Sequence, residues 1–96
     1  MGELVDKPDQ SRFEMAFPSP EGERLVFARY VRRDGVLVIP HVEADPALRG
    51  SGAAGRFMRG LADHARAEGL RLIPTCGYAA AWFRRHPDEA DLLASG

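Results

Sequence analysis

The glycine-rich segment at residues 48–55 constrains the fold of this chain more than any other feature. It reads Leu-Arg-Gly-Ser-Gly-Ala-Ala-Gly and lies between an apolar run that ends near Glu43 and a helical pattern that begins near Ala53. Glycine permits close backbone approach, and the first N–H groups of a helix have no partner within the helix. The segment therefore predicts an anion cradle at a helix N-terminus, for which a pyrophosphate-bearing cofactor is suited.

The size and composition of the chain predict one compact domain. Its 96 residues are 45% hydrophobic, which is enough for one modest core and too little for two. Lys and Arg total 13 and Asp and Glu total 14, so the overall charge indicates neither a nucleic acid nor a membrane as partner. Cys76 is the single cysteine, which excludes an internal disulfide. With a polar start and no membrane-length apolar run, the chain is expected to be cytoplasmic.

Residue periodicity predicts an α/β fold in the order β-β-β-α-β-α. Residues 1–10 are polar and are expected to form a flexible N-terminus, and residues 11–96 form the single domain. The first three predicted strands form an antiparallel meander, and the fourth is parallel to the third because a helix-length crossover separates them. The predicted strands cover residues 11–17, 24–32, 36–43 and 70–75, and the predicted helices cover residues 53–68 and 79–85.

Pro40 interrupts the third predicted strand. Because proline has no N–H for the strand ladder, it predicts a bulge or a place where pairing with one neighbour stops. Such an interruption leaves a gap that a ligand can enter.

Gly50, Gly52 and Gly55 have the spacing of the dinucleotide fingerprint G-x-G-x-x-G, but their context argues against it. A Rossmann unit has a strand running directly into the glycine turn and an acidic residue at the end of the next strand. Here residues 45–48 intervene, and residues 70–78 contain no acid. No Gly-Lys-Ser/Thr follows the glycines, which argues against a Walker A loop. A nicotinamide-binding fragment stays as an alternative. Parallel titrations with NAD and CoA would distinguish it from a CoA-binding protein.

The pattern Arg49-x-x-Gly52-x-Ala54, between a bulged strand and a helix, resembles the acyl-CoA pyrophosphate loop of the GNAT superfamily of N-acyltransferases. More closely, the chain resembles a small single-domain GNAT-like subfamily with four spaced motifs over residues 13–87. In that subfamily a His and a Glu precede the loop, and Ile-Pro-x-Cys and an aromatic segment ending in His-Pro follow it. The matching residues are His41, Glu43, Ile73-Pro74-Thr75-Cys76 and Trp82-Phe83-Arg84-Arg85-His86-Pro87.

The resemblance implies a minimal GNAT-like fold in which the third and fourth predicted strands splay apart around acetyl-CoA or another acyl-CoA. It implies that loop amides bind the pyrophosphate and that the third strand binds the pantetheine amides. The implied cofactor-binding residues are Val42, Ala44, Arg49, Gly50, Ser51, Gly52, Ala53 and Ala54. For the arginine, steering of phosphates, capping of the loop and a structural salt bridge are all open.

Acyl transfer from a thioester to an amine requires a base for the amine proton and stabilisation of the leaving thiolate. His41 and Glu43 share a strand face and are candidate bases, with a structural imidazole and a solvated carboxylate as alternatives. Cys76, just before the short helix, is a candidate nucleophile or proton donor, or a buried small hydrophobe. Many GNAT enzymes use a tyrosine on the last helix as the acid. Phe83 occupies that region here, so Tyr78 is the candidate phenol, with packing as its alternative.

The sequence thus predicts a GNAT-type protein that binds acetyl-CoA or another acyl-CoA and transfers the acyl group to an amine. The acceptor is open between a small molecule and a protein lysine. A homodimer whose second copy completes the pocket is a further alternative, because so small a domain leaves the acceptor side unwalled. No metal site is expected, since no His or Cys spacing resembles one. The competing hypothesis is a non-enzymatic acyl-CoA sensor or interaction module.

Overall fold

Five strands form one mixed sheet whose order across the sheet follows the order along the chain. A computed structural model of the protein describes residues 3–94. The strands are β1 (Val5–Lys7), β2 (Arg12–Phe17), β3 (Arg24–Arg33), β4 (Val36–Ala44) and β5 (Arg71–Pro74). The α-helices are α1 (Ala53–Ala67) and α2 (Gly77–Arg85), and 3-10 helices cover Pro8–Gln10, Pro46–Leu48 and Pro87–Leu92.

The sheet confirms the predicted α/β class and the predicted strand directions. β1 to β4 are antiparallel to their neighbours, whereas β5 runs parallel to β4. A parallel neighbour needs a long crossover, and α1 supplies it. The second helix begins at Gly77, two residues earlier than predicted, and the chain continues beyond it as a 3-10 helix.

β1 is a correction to the sequence-based prediction. Residues 1–10 were expected to be flexible, but Val5–Lys7 pairs with β2 along the edge of the sheet. The hydroxyl of Tyr30 on β3 donates to Asp6 Oδ1 at 2.7 Å and so ties the strand to its second neighbour. Three residues are too few for a recognisable alternating pattern, so the strand depends on these longer-range contacts. Residues 1 and 2 of the predicted flexible segment lie outside the described residues.

Both helices pack on one face of the sheet, and a single apolar core lies between the two layers. The inner residues of the strands alternate as predicted, and the α1 residues recur at helical spacing. The strand residues are Phe13, Met15, Phe17, Val26, Ala28, Tyr30, Leu37 and Ile39, and the α1 residues are Phe57, Met58, Leu61, Ala62 and Ala65. We call the opposite side of the sheet the outer face. No helix within residues 3–94 covers it.

A bulge in β4 changes which way its residues point. Tyr30 of β3 opposes two residues of β4, Ile39 and Pro40, which confirms the bulge predicted from the proline. Because side chains alternate along a strand, one extra residue reverses the orientation of everything that follows it. Ile39 is therefore buried in the core, whereas His41 and Glu43 are exposed on the outer face.

Candidate functional site

β4 and β5 separate after a short paired segment. They pair over four residues each, ending at Ile39 and Pro74, and β4 then continues to Ala44 with no strand of the described chain on that side. At the branch point, the N–H groups of Thr75 and Cys76 both donate to the carbonyl oxygen of Ile39, at 3.1 and 3.0 Å. The divergence that the GNAT resemblance implied is thus present, and it leaves a gap between β4 and the start of α2.

The backbone of Val42 and Ala44 faces this gap. In an antiparallel pair, the backbone N–H and C=O groups of one residue bond to the partner strand, and those of the next residue point away from it. The N–H of Asp45 donates to the carbonyl oxygen of Leu25 on β3 at 3.1 Å, which fixes the phase of that alternation. The N–H and C=O groups of Val42 and Ala44 must then point away from β3. These are the residues for which the resemblance implied pantetheine contacts.

The loop before α1 presents free N–H groups to an open space. Gly50 and Gly52 have φ of 79° and 80°, in the left-handed region that favours glycine, and Gly52 is the N-cap residue. Within residues 3–94, the N–H groups of Gly50, Gly52, Ala54 and Gly55 have no hydrogen-bond partner. A Cβ added at any of these three glycines would meet no atom within 4 Å. The donors and the positive end of the helix dipole make the loop a cradle for an anion.

Ser51 holds the cradle in shape. Its hydroxyl donates to the carbonyl oxygen of Leu48 at 2.6 Å and accepts the N–H of Ala53 at 3.2 Å. Two of the predicted cofactor-binding residues, Ser51 and Ala53, therefore use their donors within the loop. Gly55, which the sequence analysis did not include, adds a free N–H because it lies in the first turn of α1.

Arg49 is exposed at the edge of the cradle. Its guanidinium forms no ion pair with any carboxylate of residues 3–94. The structural salt bridge that the sequence left open is thus not formed in this part of the chain. A positive charge without an internal partner is available to an anionic ligand.

His41 and Glu43 lie together on the outer face beside the gap. His41 Nε2 and Glu43 Oε1 are 3.0 Å apart, and the two side chains are 47% and 58% exposed. The ring of Phe27 lies beside the imidazole, with 5.9 Å between ring centroids. When Nε2–H donates its hydrogen bond to the carboxylate, Nδ1 of the neutral ring is left as the basic nitrogen. The shared face predicted from their spacing is confirmed, and the structure brings these two candidate bases into contact.

Cys76 and Tyr78 lie at the start of α2, across the end of β5. Cys76 is the N-cap residue and is half-buried against the core. Tyr78 is 37% exposed, and partial burial raises the pKa of its hydroxyl above the usual 10, against the opposing charge of Arg85. The phenol therefore stays protonated at neutral pH. Phe83, which stands where many GNAT enzymes have a tyrosine, is buried against Trp82.

An ion cluster that sequence analysis missed attaches the end of the chain to α1. Glu89 is only 8% exposed and accepts hydrogen bonds from Arg59 and Arg66, the latter at 2.7 Å. Arg66 also donates to Asp91 Oδ2 at 2.6 Å. These partners are 23 to 30 residues apart, so no local spacing reveals them. The cluster helps to hold the helix that carries the cradle.

Two structural features bear on other functional classes. Within residues 3–94, no group of three or more His, Cys, Asp or Glu side chains is arranged to hold a metal ion. Over the same range, neither α-helix has both the length and the apolar character needed to cross a membrane.

Comparison with known proteins agrees with this geometry. Among solved structures, the chain is similar to the solution NMR structure of a GCN5-like protein from Staphylococcus aureus, with 19% identity and a TM-score of 0.69. The alignment covers 98% of this chain and 89% of that one, and at this identity it shows a shared fold. No curated protein matches the sequence. The family described as GCN5-related N-acetyl-transferase matches residues 12–92, which supports acyl transfer in general. The chain therefore belongs to the GCN5-related N-acetyltransferase family.

Proposed function

We propose that this protein binds acetyl-CoA or another acyl-CoA in the gap beside β4 and transfers the acyl group to an amine. The observation that carries the proposal is the set of four N–H groups at the start of α1 that have no partner among residues 3–94, next to an edge of β4 that no strand of the same range covers. The 3-10 helix Pro46–Leu48 joins the two features directly. A diphosphate suits the donors, and an extended chain with amide groups suits the strand edge.

Each part of the ligand has a matching group on the protein. The N–H groups of Gly50, Gly52, Ala54 and Gly55 bind the diphosphate, and Arg49 adds a positive charge at the edge. Ser51 and Ala53 support the loop. Val42 and Ala44 bond to the pantetheine amides, and family membership implies acetyl-CoA as the acyl donor.

His41 is the base in this proposal. The nitrogen of a neutral amine attacks the thioester carbonyl carbon, the C–N bond forms, the C–S bond breaks, and the amine loses a proton. His41 accepts that proton while Glu43 holds the other ring nitrogen at 3.0 Å. Tyr78, with a pKa above 10, is a weaker acid than a thiol. It therefore stabilises the leaving thiolate by donating a hydrogen bond.

Cys76 offers a second route for the same transfer. In that route Cys76 Sγ attacks the thioester carbon, the bond to CoA sulfur breaks, and the proton lost by the cysteine thiol passes to the leaving CoA. The amine then attacks the acyl carbon, the bond to Sγ breaks, and the amine proton restores the cysteine thiol. Intact-mass measurement after incubation with acetyl-CoA separates the two routes. Stable acetylation that is lost in Cys76→Ala supports the covalent route, and an unmodified chain with continuing turnover supports direct transfer.

Titration of 15N-labelled protein with CoA tests the binding site. CoA should shift the amide signals of the loop and of the open β4 edge together. Pantetheine, which has no diphosphate, should shift only Val42 and Ala44. Tighter binding of NAD than of CoA, or an unchanged loop at saturating CoA, would contradict the proposal.

Arg49→Gln tests the charge at the edge of the cradle. The variant should weaken CoA binding about fivefold, which corresponds to about 1 kcal/mol for an exposed charge pair. Arg56→Gln is the matched control, because that arginine is also exposed but lies one turn into α1. Equal losses in the two variants would show that only the overall charge matters.

A sensor without catalysis is the second candidate, favoured by the buried Phe83 at the position of the usual acid. Release of CoA thiol from acetyl-CoA, measured over a panel of amines, separates the two functions. An enzyme should lose roughly a hundredfold or more of its rate in His41→Gln, with unchanged CoA affinity. Tight CoA binding with no amine-dependent thiol release would identify a sensor.

A further inference from the structure

Arg29 is a positive charge on the outer face that the chain itself leaves without a partner. The carboxylates on either side of it are already paired, because His41 Nε2 lies 3.0 Å from Glu43 Oε1 and Arg12 Nε lies 2.9 Å from Glu14 Oε2. Arg29 is exposed, and within residues 3–94 its guanidinium forms no ion pair. Such a charge is available to an anionic group from outside the chain.

The register of the sheet places this charge beside the candidate base. Arg29 of β3 lies directly opposite His41 of β4, and both side chains extend from the outer face. Side chains at directly opposite positions start roughly 5 Å apart at Cβ. The guanidinium carbon of Arg29 and the ring of His41 are each 5.9 Å from the centre of the Phe27 ring. The charge and the base therefore border the same small patch of the surface.

This patch lies on the side from which an amine reaches the base. Both helices pack on the other face of the sheet, so His41 is open to solvent only on the outer face. The gap beside β4 runs from the cradle past Ala44 and Val42 to Pro40, where β5 begins to pair with β4. His41 follows Pro40 directly. An acceptor that brings its nitrogen to this end of the gap therefore extends over the outer face toward Arg29.

We infer that the acceptor is a small amino acid, an amine that carries a carboxylate, and that Arg29 binds this carboxylate. The inference rests on the proposed function, because it takes His41 as the base for the amine. With a neutral imidazole, the pair of His41 and Glu43 carries one negative charge, which attracts an ammonium group. Arg29, one strand away, attracts the carboxylate with charge-assisted hydrogen bonds.

The two opposite charges select the length and the charge of the acceptor. A short amino acid such as β-alanine spans neighbouring strands, so its two ends reach Arg29 and the pair of His41 and Glu43 at once. The ammonium group releases one proton to water before its nitrogen attacks, and His41 accepts the second proton during the transfer. A diamine of the same length would instead place a second positive charge against Arg29, which disfavours it.

The ratio of kcat/KM for β-alanine to kcat/KM for β-alaninamide tests the role of Arg29, with release of CoA thiol from acetyl-CoA as the assay. Arg29→Gln should lower this ratio about tenfold, mainly by raising KM for β-alanine, because only β-alanine carries a carboxylate. Arg33→Gln is the matched control and should keep the ratio, since Arg33 is exposed on the same face of β3 but lies opposite Val36. An unchanged ratio in Arg29→Gln, equal losses in both variants, or a higher kcat/KM for 1,3-diaminopropane than for β-alanine would overturn the inference.

Failure of the proposed function would give a different result, because thiol release would then be absent with every amine, β-alaninamide included. Binding decides the inference in that case, since it needs no turnover. In 15N-labelled protein, with CoA and without it, β-alanine should shift the backbone amide signals of Arg29 and His41 more than β-alaninamide does at the same concentration. Arg29→Gln should abolish this difference at His41, and Arg33→Gln should keep it. Equal shifts from the two compounds would overturn the inference.

Discussion

Gly52 is the residue on which the cradle depends most. Its φ of +80° is accessible to other residues only at a cost, although a Cβ would meet no atom within 4 Å. We expect Gly52→Ala to lower the free energy of unfolding by about 1 kcal/mol and to weaken CoA binding, because relaxation of the backbone turns the loop amides away. Urea unfolding and calorimetric titration measure the two effects. Gly55→Ala, with ordinary helical φ and open space, should instead stabilise the protein by about 0.5–1 kcal/mol.

Pro40 shows how far a single residue can be interpreted from sequence. Its missing N–H predicted a bulge or the end of pairing with one neighbour, and both occur, because a bulge lies opposite Tyr30 and pairing with β5 ends at Ile39. The effect of the bulge on the residues after it could not be predicted, because the sequence does not show which residue of β3 lies opposite it. Its position opposite Tyr30 turns the backbone of Val42 to the gap and the side chain of His41 to the outer face. The roles of these residues followed from the family resemblance, whereas the direction in which each one points depends on where the bulge lies.

At the scale of elements, β1 is held by its pairing with β2 and by one side-chain hydrogen bond from β3, whose strength depends on pH. Burial, and then the bond to Asp6, raise the pKa of Tyr30 to about 12. The folded state therefore holds this proton more tightly than the unfolded state, where the pKa is about 10. The resulting stability is fully present below pH 10 and is lost as the pH rises from 10 to 12.

Tyr30→Phe tests this pH dependence. Urea unfolding at pH 9, 10 and 11 should show a steeper loss of stability for the unmodified protein than for the variant, which has no hydroxyl to titrate. Asp6→Asn should give an intermediate slope, because it removes the negative charge but keeps the burial of Tyr30. Equal slopes for Tyr30→Phe and the unmodified protein would contradict the assignment.

The ion cluster between α1 and the last 3-10 helix predicts acid sensitivity. Hydrogen bonds from Arg66 and then Arg59 lower the pKa of Glu89 below its usual 4.5. Its stabilising effect is therefore present above pH 4.5 and is lost as the pH falls through the lowered value. We expect Glu89→Gln to destabilise the protein by roughly 1–3 kcal/mol at pH 7 and to flatten the decline of stability between pH 5 and 3.

Asp91→Asn is the matched control for this cluster, because the Asp91 side chain bonds the same Arg66 but is 61% exposed. Because solvent screens an exposed ion pair, Asp91 should contribute less to stability than the buried Glu89 does. Thermal and urea unfolding at pH 7 should therefore separate the two variants. Similar losses of stability in both variants would mean that the burial of Glu89 does not strengthen its interaction with the arginines.

The elements found from sequence are those whose pattern is local. β2, β3, β4 and α1 each contain enough residues to show a period, and Gly52 marks the start of α1. β1 and the last 3-10 helix are short and are held by partners far away in the chain, such as Asp6 with Tyr30 and Glu89 with Arg66. No periodicity encodes such contacts. The cradle was predictable because its glycines, loop and helix are contiguous.

At the scale of the whole molecule, the gap separates the free edge of β4 from the start of α2. β5 pairs with β4 over four residues ending at Pro74, and the N–H groups of Thr75 and Cys76 then bond to Ile39 before the chain turns away from β4. A ligand that contacts the open β4 edge, the cradle and the start of α2 at once would link segments that the protein itself leaves apart. Ligand binding should therefore stabilise the entire domain, in proportion to how many of these segments the ligand reaches.

CoA at a free concentration a hundredfold above its Kd should stabilise the protein by about 2.7 kcal/mol and raise Tm by roughly 10–20 °C for a domain of this size. ADP carries only the diphosphate end and pantetheine only the extended end, so at the same concentration each should raise Tm less. In Gly52→Ala the increase caused by CoA should shrink, while the increase caused by pantetheine should not. Differential scanning calorimetry measures these shifts. If pantetheine alone raised Tm as much as CoA does, the phosphates would contribute nothing to binding, and the cradle would not be the site that holds them.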